Sequence, residues 1–244
     1  LGMSRQFLDA DAPAALSQNL LLSITEQLKL PLLNIARQAE LAGLQPIYAD
    51  FSAIRTTAET ALQLLDNYLL GVRLAGEEAT FAAIEPVSVS SVLYDVGEQL
   101  RPMATSYGVK LDLYVDGKYG PVMAHRRGLQ AALVSLGYAL VEALPAAELP
   151  QLRLQLSAHR CRYGIVAGLY CDADQVAART LKYGRQLYGR ARQPLGAISH
   201  TSSAGVFVAD AILHAMQSQL TVSHHRKLHG LGTVLQLSPQ LQLV

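Results

Sequence analysis

Tryptophan is absent from this 244-residue chain, and aromatic residues as a whole make up only 6% of it. Cysteine is nearly absent too. Cys161 and Cys171 are too few for a disulfide framework, and no zinc-type cluster of Cys and His surrounds them, so no metal is expected. A reduced cytosol is the simplest setting, which makes a cytoplasmic location the expectation. No run approaches the roughly 18 uninterrupted apolar residues of a membrane span. No basic region followed by an apolar stretch marks a signal peptide. Internal repeats and low-complexity tracts are missing as well. The formal charge of +1 predicts no global attraction to nucleic acid or lipid. Histidine is confined to the second half of the chain, at His125, His159, His200, His214, His224, His225 and His229.

About half of the residues are hydrophobic, enough for a real core and against a disordered chain. The charge is unevenly spread. The first 80 residues are acidic on balance. After Asp174 the basic residues Arg179, Lys182, Arg185, Arg190, Arg192, Arg226 and Lys227 face a single acid, Asp210. Such asymmetry points to two modules with different roles.

The first module reads as a helical hairpin. From about Ala14 to Leu41, Leu21, Leu28, Ile35 and Ala42 recur every seven residues, with Ile24, Leu32 and Ala39 filling the same face. Gly43 is a natural stop, and a short link containing Pro46 follows. The second helix, about Asp50 to Leu74, carries the stripe Phe51, Ile54, Ala58, Ala61, Leu65, Tyr68 and Val72, spaced by threes and fours. Asp50 or Ser52 can cap its start, and Gly76 ends it. A hairpin alone buries such a stripe poorly, whereas two hairpins pairing as a four-helix bundle bury it well. A homodimer through residues 10–75 is therefore expected. The competing arrangement lays the hairpin on the second half of its own chain.

Beyond residue 80 the periodicity changes. Val87-Ser88-Val89 reads as a short strand, Ser90 to Tyr107 as a helix, and Lys110 to Val115 as a strand closed by an Asp116-Gly117 turn. Arg127 to Ala143 is a second helix, Leu152 to Ser157 and Tyr163 to Tyr170 are strands, and Val206 to Met216 is a third helix. Strands near Gln219–Ser223 and Thr233–Leu237 complete the pattern. Helices mixed with mostly antiparallel strands predict an α+β sandwich with helices on one face of a sheet.

This order of pieces resembles the cytoplasmic core of sensor histidine kinases, a dimerisation hairpin (10–76) followed by an ATPase-type domain (84–240). Three local anchors carry the resemblance. The first, Thr25-Glu-Gln-Leu-Lys-Leu-Pro-Leu32, is similar to the family's Ser-His-Glu-Leu-Arg-Thr-Pro-Leu. Its phosphoacceptor histidine is replaced by Glu26, the acid that activates that histidine by Gln27, and the polar residue that supports phosphatase activity by Leu30. A carboxylate has no imidazole nitrogen to attack a γ-phosphate. The second anchor, Leu129 to Val141, is similar to the helix whose asparagines hold magnesium and phosphates, but Ser135 and Tyr138 stand at those positions. Without a carbonyl ligand at 138, Mg²⁺ loses an expected oxygen. The third anchor is a set of glycine boxes. Asp172 aligns with the aspartate that reads the adenine amino group, with Asp174 in place of the first glycine. Gly205 remains from the later glycine box. Gly230-Leu-Gly232-Thr233 keeps the last box in full, read as a turn between two strands. The basic segment Arg179–Arg192 lies where the family has its ATP lid. It is open to three readings: residual phosphate attraction, docking of an acidic partner, or a solvated helix face.

The resemblance implies one of two functions. One is a catalytically inactive dimeric scaffold that uses the surface around Glu26, Lys29 and Leu30 to dock a response regulator or another kinase, with no cofactor. The other is an enzyme that binds ATP and Mg²⁺ through Asp172, Gly205, Gly230 and Gly232 and phosphorylates a partner's histidine. Nucleic-acid binding is not expected, because no recognised module accompanies the basic residues.

Overall fold

The computed structural model describes residues 12–44, 51–75, 84–115, 117–144, 151–186 and 202–239. Pro46, Asp50, Gly76, Asp116, Arg190, Arg192 and His200 lie outside these residues.

Two long helices come first, α1 (Ala12–Leu44) and α2 (Phe51–Ala75). Helix α1 runs on through Pro31, and Gly43 lies within its last turn. Ser52 is the second residue of α2 and so does not stand outside it as a cap. The two helices pack against each other and against the rest of the chain. Their inward faces are Ile24, Leu28, Pro31 and Ile35 on α1 and Ala61, Leu64, Asn67 and Gly71 on α2. The heptad stripes are therefore split. Leu28, Ile35 and Ile24 turn inward, while Leu21 and Leu32 stay exposed.

The second half is the expected α+β sandwich. A five-stranded sheet has the order β2-β4-β5-β7-β6, built from β2 (Lys110–Val115), β4 (Arg153–Cys161), β5 (Gly164–Cys171), β6 (Leu220–His225) and β7 (Leu228–Leu235). The β2–β4 pair is parallel and the other neighbours are antiparallel. A small antiparallel pair, β1 (Glu85–Val87) with β3 (Val122–Ala124), joins the end of β7 through the Met123 N–H, which donates to the Gln236 carbonyl at 2.8 Å. The strand expected at residues 87–89 lies two residues earlier. Ser88 leaves the extended path to cap α3 (Val89–Ser106), its hydroxyl accepting from the Ser91 N–H. Strand β3 was not expected from the sequence, and neither was α5 (Asp174–Gln186).

One face of the sheet carries the apolar layer. Leu154, Leu156 and Ala158 of β4, Ile165, Ala167 and Leu169 of β5, and Leu231 and Leu235 of β7 form one continuous core with α3, α4 (Arg126–Ala143), α5 and α6 (Ser202–Ala215). This is period-two alternation with one side buried under helices. Helix α4 is capped by His125, whose Nδ1 accepts the Gly128 N–H at 2.9 Å. It is buried on nearly every side, with the sheet below and α2 and α6 around it. Among the described residues no helix is long and apolar enough to cross a membrane.

Candidate functional site

The two positions of α4 assigned to asparagines are both closed to solvent: Ser135 is 0% exposed and Tyr138 2%. Helix α2 covers them. Asn67 donates from Nδ2 to the Ser135 hydroxyl at 3.4 Å, a long contact between two buried groups. Thr60, two turns earlier on α2, lies beside Tyr138. Burial pushes the Tyr138 phenol up to about 12, with the Thr60 contact acting in the opposite direction. Gly71 brings α2 close to α6. A Cβ there would already sit 3.4 Å from Ile212.

Of the four candidate nucleotide residues only Asp172 is exposed, just past the end of β5. Gly205 is buried inside α6. Gly230 and Gly232 do not form the expected turn. Both lie within β7, opposite Tyr170 and Gly168 of β5, and the turn between β6 and β7 is made by Arg226 and Lys227. A Cβ on Gly230 would fall 2.0 Å from the Leu169 carbonyl oxygen, so close strand approach accounts for this glycine. The basic segment is helical up to Gln186. Arg185 is committed to the fold, donating to the Leu220 carbonyl at 2.7 Å and lying 3.7 Å from Asp210. The backbone at Glu26, Gln27, Lys29 and Leu30 is part of α1. Their side chains, and that of Asp174, lie outside the described residues.

No family model and no curated protein matches the chain. Solved structures do. The Acinetobacter baumannii histidine kinase AdeS aligns with a TM-score of 0.51 at 12% identity, over 86% of this chain and 97% of that one. Full-length ShkA in complex with AMPPNP aligns with a TM-score of 0.51 at 16% identity, over 77% of this chain and 39% of that one. The fold is that of the histidine kinases. Within this histidine-kinase-type fold two further groups of polar residues stand out, neither of them anticipated from the sequence.

The first lines a cavity of about 460 Å³ between the hairpin and the C-terminal ends of α3 and α4. Glu142 lies in its wall. Burial lifts the Glu142 carboxyl from 4.5 to about 7. Tyr107, also in the wall, is pushed up to about 12, first by burial and then by the Glu142 charge. The signal in the sequence was the single acid of α4, placed next to its C-terminal residue.

The second lies on the sheet face opposite the helices. The buried Ser157 hydroxyl is 2.7 Å from Nδ1 of buried His225. The His225 ring stacks on His159 at 4.4 Å and meets Tyr170 edge-on at 5.7 Å. Burial raises the Tyr170 phenol, opposed by its bond to Ser223. Arg226 closes the group by lying over the Tyr114 ring at 4.2 Å and donating to its hydroxyl. These residues alternate with the core along their strands, so they share the outer face. The β6–β7 hairpin folds over that face to reach β2. Among the described residues no group of three His, Cys, Asp or Glu side chains is placed to hold a metal.

Proposed function

We propose that this protein is a catalytically inactive, histidine-kinase-like scaffold of a two-component pathway, acting as a homodimer that docks a response regulator or a kinase. The carrying observation is the filling of the α4 face by α2. Ser135 and Tyr138 are occupied by contacts with Asn67 and Thr60 and offer no open carbonyl oxygen to a metal-bound nucleotide. The residues present therefore do not fit Mg²⁺-ATP at this position. Glu26 in place of a phosphoacceptor histidine supports the same reading.

The hairpin has a second face that supports pairing. Leu21, Leu32, Leu62 and Leu69 are each about half exposed or more, and a second copy's hairpin would cover them in a four-helix bundle. The docking surface for the regulator or kinase is assigned to the stretch of α1 that carries Glu26, Lys29 and Leu30.

The alternative is an enzyme that binds ATP and phosphorylates a partner. The exposure of Asp172 at the end of β5 favours it. Calorimetric titration with ATP and Mg²⁺, with sedimentation in parallel, separates the two. The scaffold reading expects a dimer, no saturable ATP binding and no radiolabelled phosphate on histidine. Saturable binding at micromolar ATP overturns inactivity, and a monomer at micromolar protein overturns the dimer.

A further inference from the structure

We infer that the cavity between the hairpin and the C-terminal ends of α3 and α4 is a binding site for a small organic amine with an apolar body, held by the Glu142 carboxylate. At about 460 Å³ it has the size of a small-molecule site. It is separate from the contacts that cover Ser135, and it does not depend on whether the chain is a scaffold or an enzyme.

The chemistry of the wall selects the ligand. Pro31, Leu64 and Met103 supply apolar surface, and threonines of α2 supply hydroxyls. Among the described residues, the lining contributed by α1 and α2 carries no charged residue. The two charged lining residues among those described are Arg101 of α3 and Glu142 of α4. Arg101 is turned to solvent and paired with Glu98 at 2.7 Å, which leaves Glu142 as the charge facing the cavity. Tyr107, the remaining titratable lining group, is neutral until far above neutral pH.

Two acceptors of lining residues are left without a partner. Glu142 Oε2 and Gln38 Oε1 are buried acceptors without a hydrogen-bond partner among the described residues. A buried acceptor left unpaired is costly, and a group rich in N–H donors removes that cost. An ammonium carries three donors and a complementary charge. An anion would meet an unscreened carboxylate, and a neutral alcohol offers a single donor. The carboxyl's raised protonation range adds a signature: binding an ammonium requires the ionised form, so affinity rises with pH until Glu142 is fully ionised.

The test uses the full chain with 2-phenylethylamine and its uncharged counterpart 2-phenylethanol, followed by NMR titration. The amine is expected to saturate at about pH 8 and to bind at least about tenfold more tightly than the alcohol, the ratio of a charge-assisted bond to a neutral one. Glu142→Gln should reduce the amine to the alcohol's level. Thr56→Trp, which fills the cavity and leaves the carboxylate, should abolish binding of both. Amine affinity should weaken by about thirtyfold between about pH 8 and about pH 5.5, as Glu142 takes up its proton. Equal binding of amine and alcohol overturns the inference, as does undiminished amine binding by Glu142→Gln. Absence of saturation up to about 10 mM amine does the same. If Thr56→Trp does not fold, Glu142→Gln still decides, because removing a buried charge is expected to stabilise the chain.

Discussion

Glu142 is the residue whose removal should be most informative. Its carboxyl is buried at the end of α4 and its folded range is raised from 4.5 to about 7. Between these values the folded chain holds a proton that the unfolded chain has released. Stability must therefore fall as pH rises through this window. Below 4.5 both states are protonated and the penalty vanishes. Above about 7 both are ionised and the penalty is complete. At about 1.4 kcal/mol per pH unit the full penalty is about 3 kcal/mol. Glu142→Gln keeps the shape and removes the charge. The difference in unfolding free energy between variant and parent should grow from about zero near pH 4.5 to about 3 kcal/mol near pH 8. Because the chain has no tryptophan, urea unfolding is best followed by far-UV circular dichroism. Ion pairs such as Asp95–Arg126 are common to both proteins and cancel in the difference. Two parallel pH profiles would refute the placement of this carboxyl in a buried wall.

Four further substitutions probe the architecture. Gly230→Ala should destabilise by about 3 kcal/mol or more in urea unfolding, since its Cβ would collide with the β5 backbone at Leu169. Gly137→Ala should cost less, because the atoms it meets belong to the side chain of Leu100. Ser157→Ala should cost about 1–3 kcal/mol by withdrawing the hydroxyl from His225 in a buried setting, measured the same way. Gly71→Leu should push α2 away from Ile212 and open the hairpin–domain contact, read as faster hydrogen exchange across residues 60–71 with the sheet unaffected.

The sandwich was legible because its signals are local. Lys110–Val115 alternates along one strand, and the strand observed there has those bounds. The helix around Leu129–Val141 differs from its expected span by one residue. Short elements were harder. Strand β3 has three residues and owes its place to pairing with β1, a contact far away in sequence. Helix α5 was hidden in a stretch whose charges read equally as lid or solvated face. The last glycine box illustrates the limit of motif reading. Gly230 and Gly232 look like turn residues, yet both pair with β5 in mid-strand, and at Gly230 the β5 backbone leaves no room for a side chain.

Periodicity and residue identity are properties of the chain alone, and they were enough for the class of fold, the two long helices and the absence of histidine before residue 125. Which way the faces of α1 and α2 point was visible only after packing. A heptad stripe marks an apolar seam but not its partner, and α2 uses Leu64, Asn67 and Gly71 against α4 and α6 of its own chain. Packing likewise set the roles of Glu142, Ser157 and His225. An acid, a hydroxyl and an imidazole acquire distinctive chemistry through burial and neighbours, and both are supplied by residues distant in sequence.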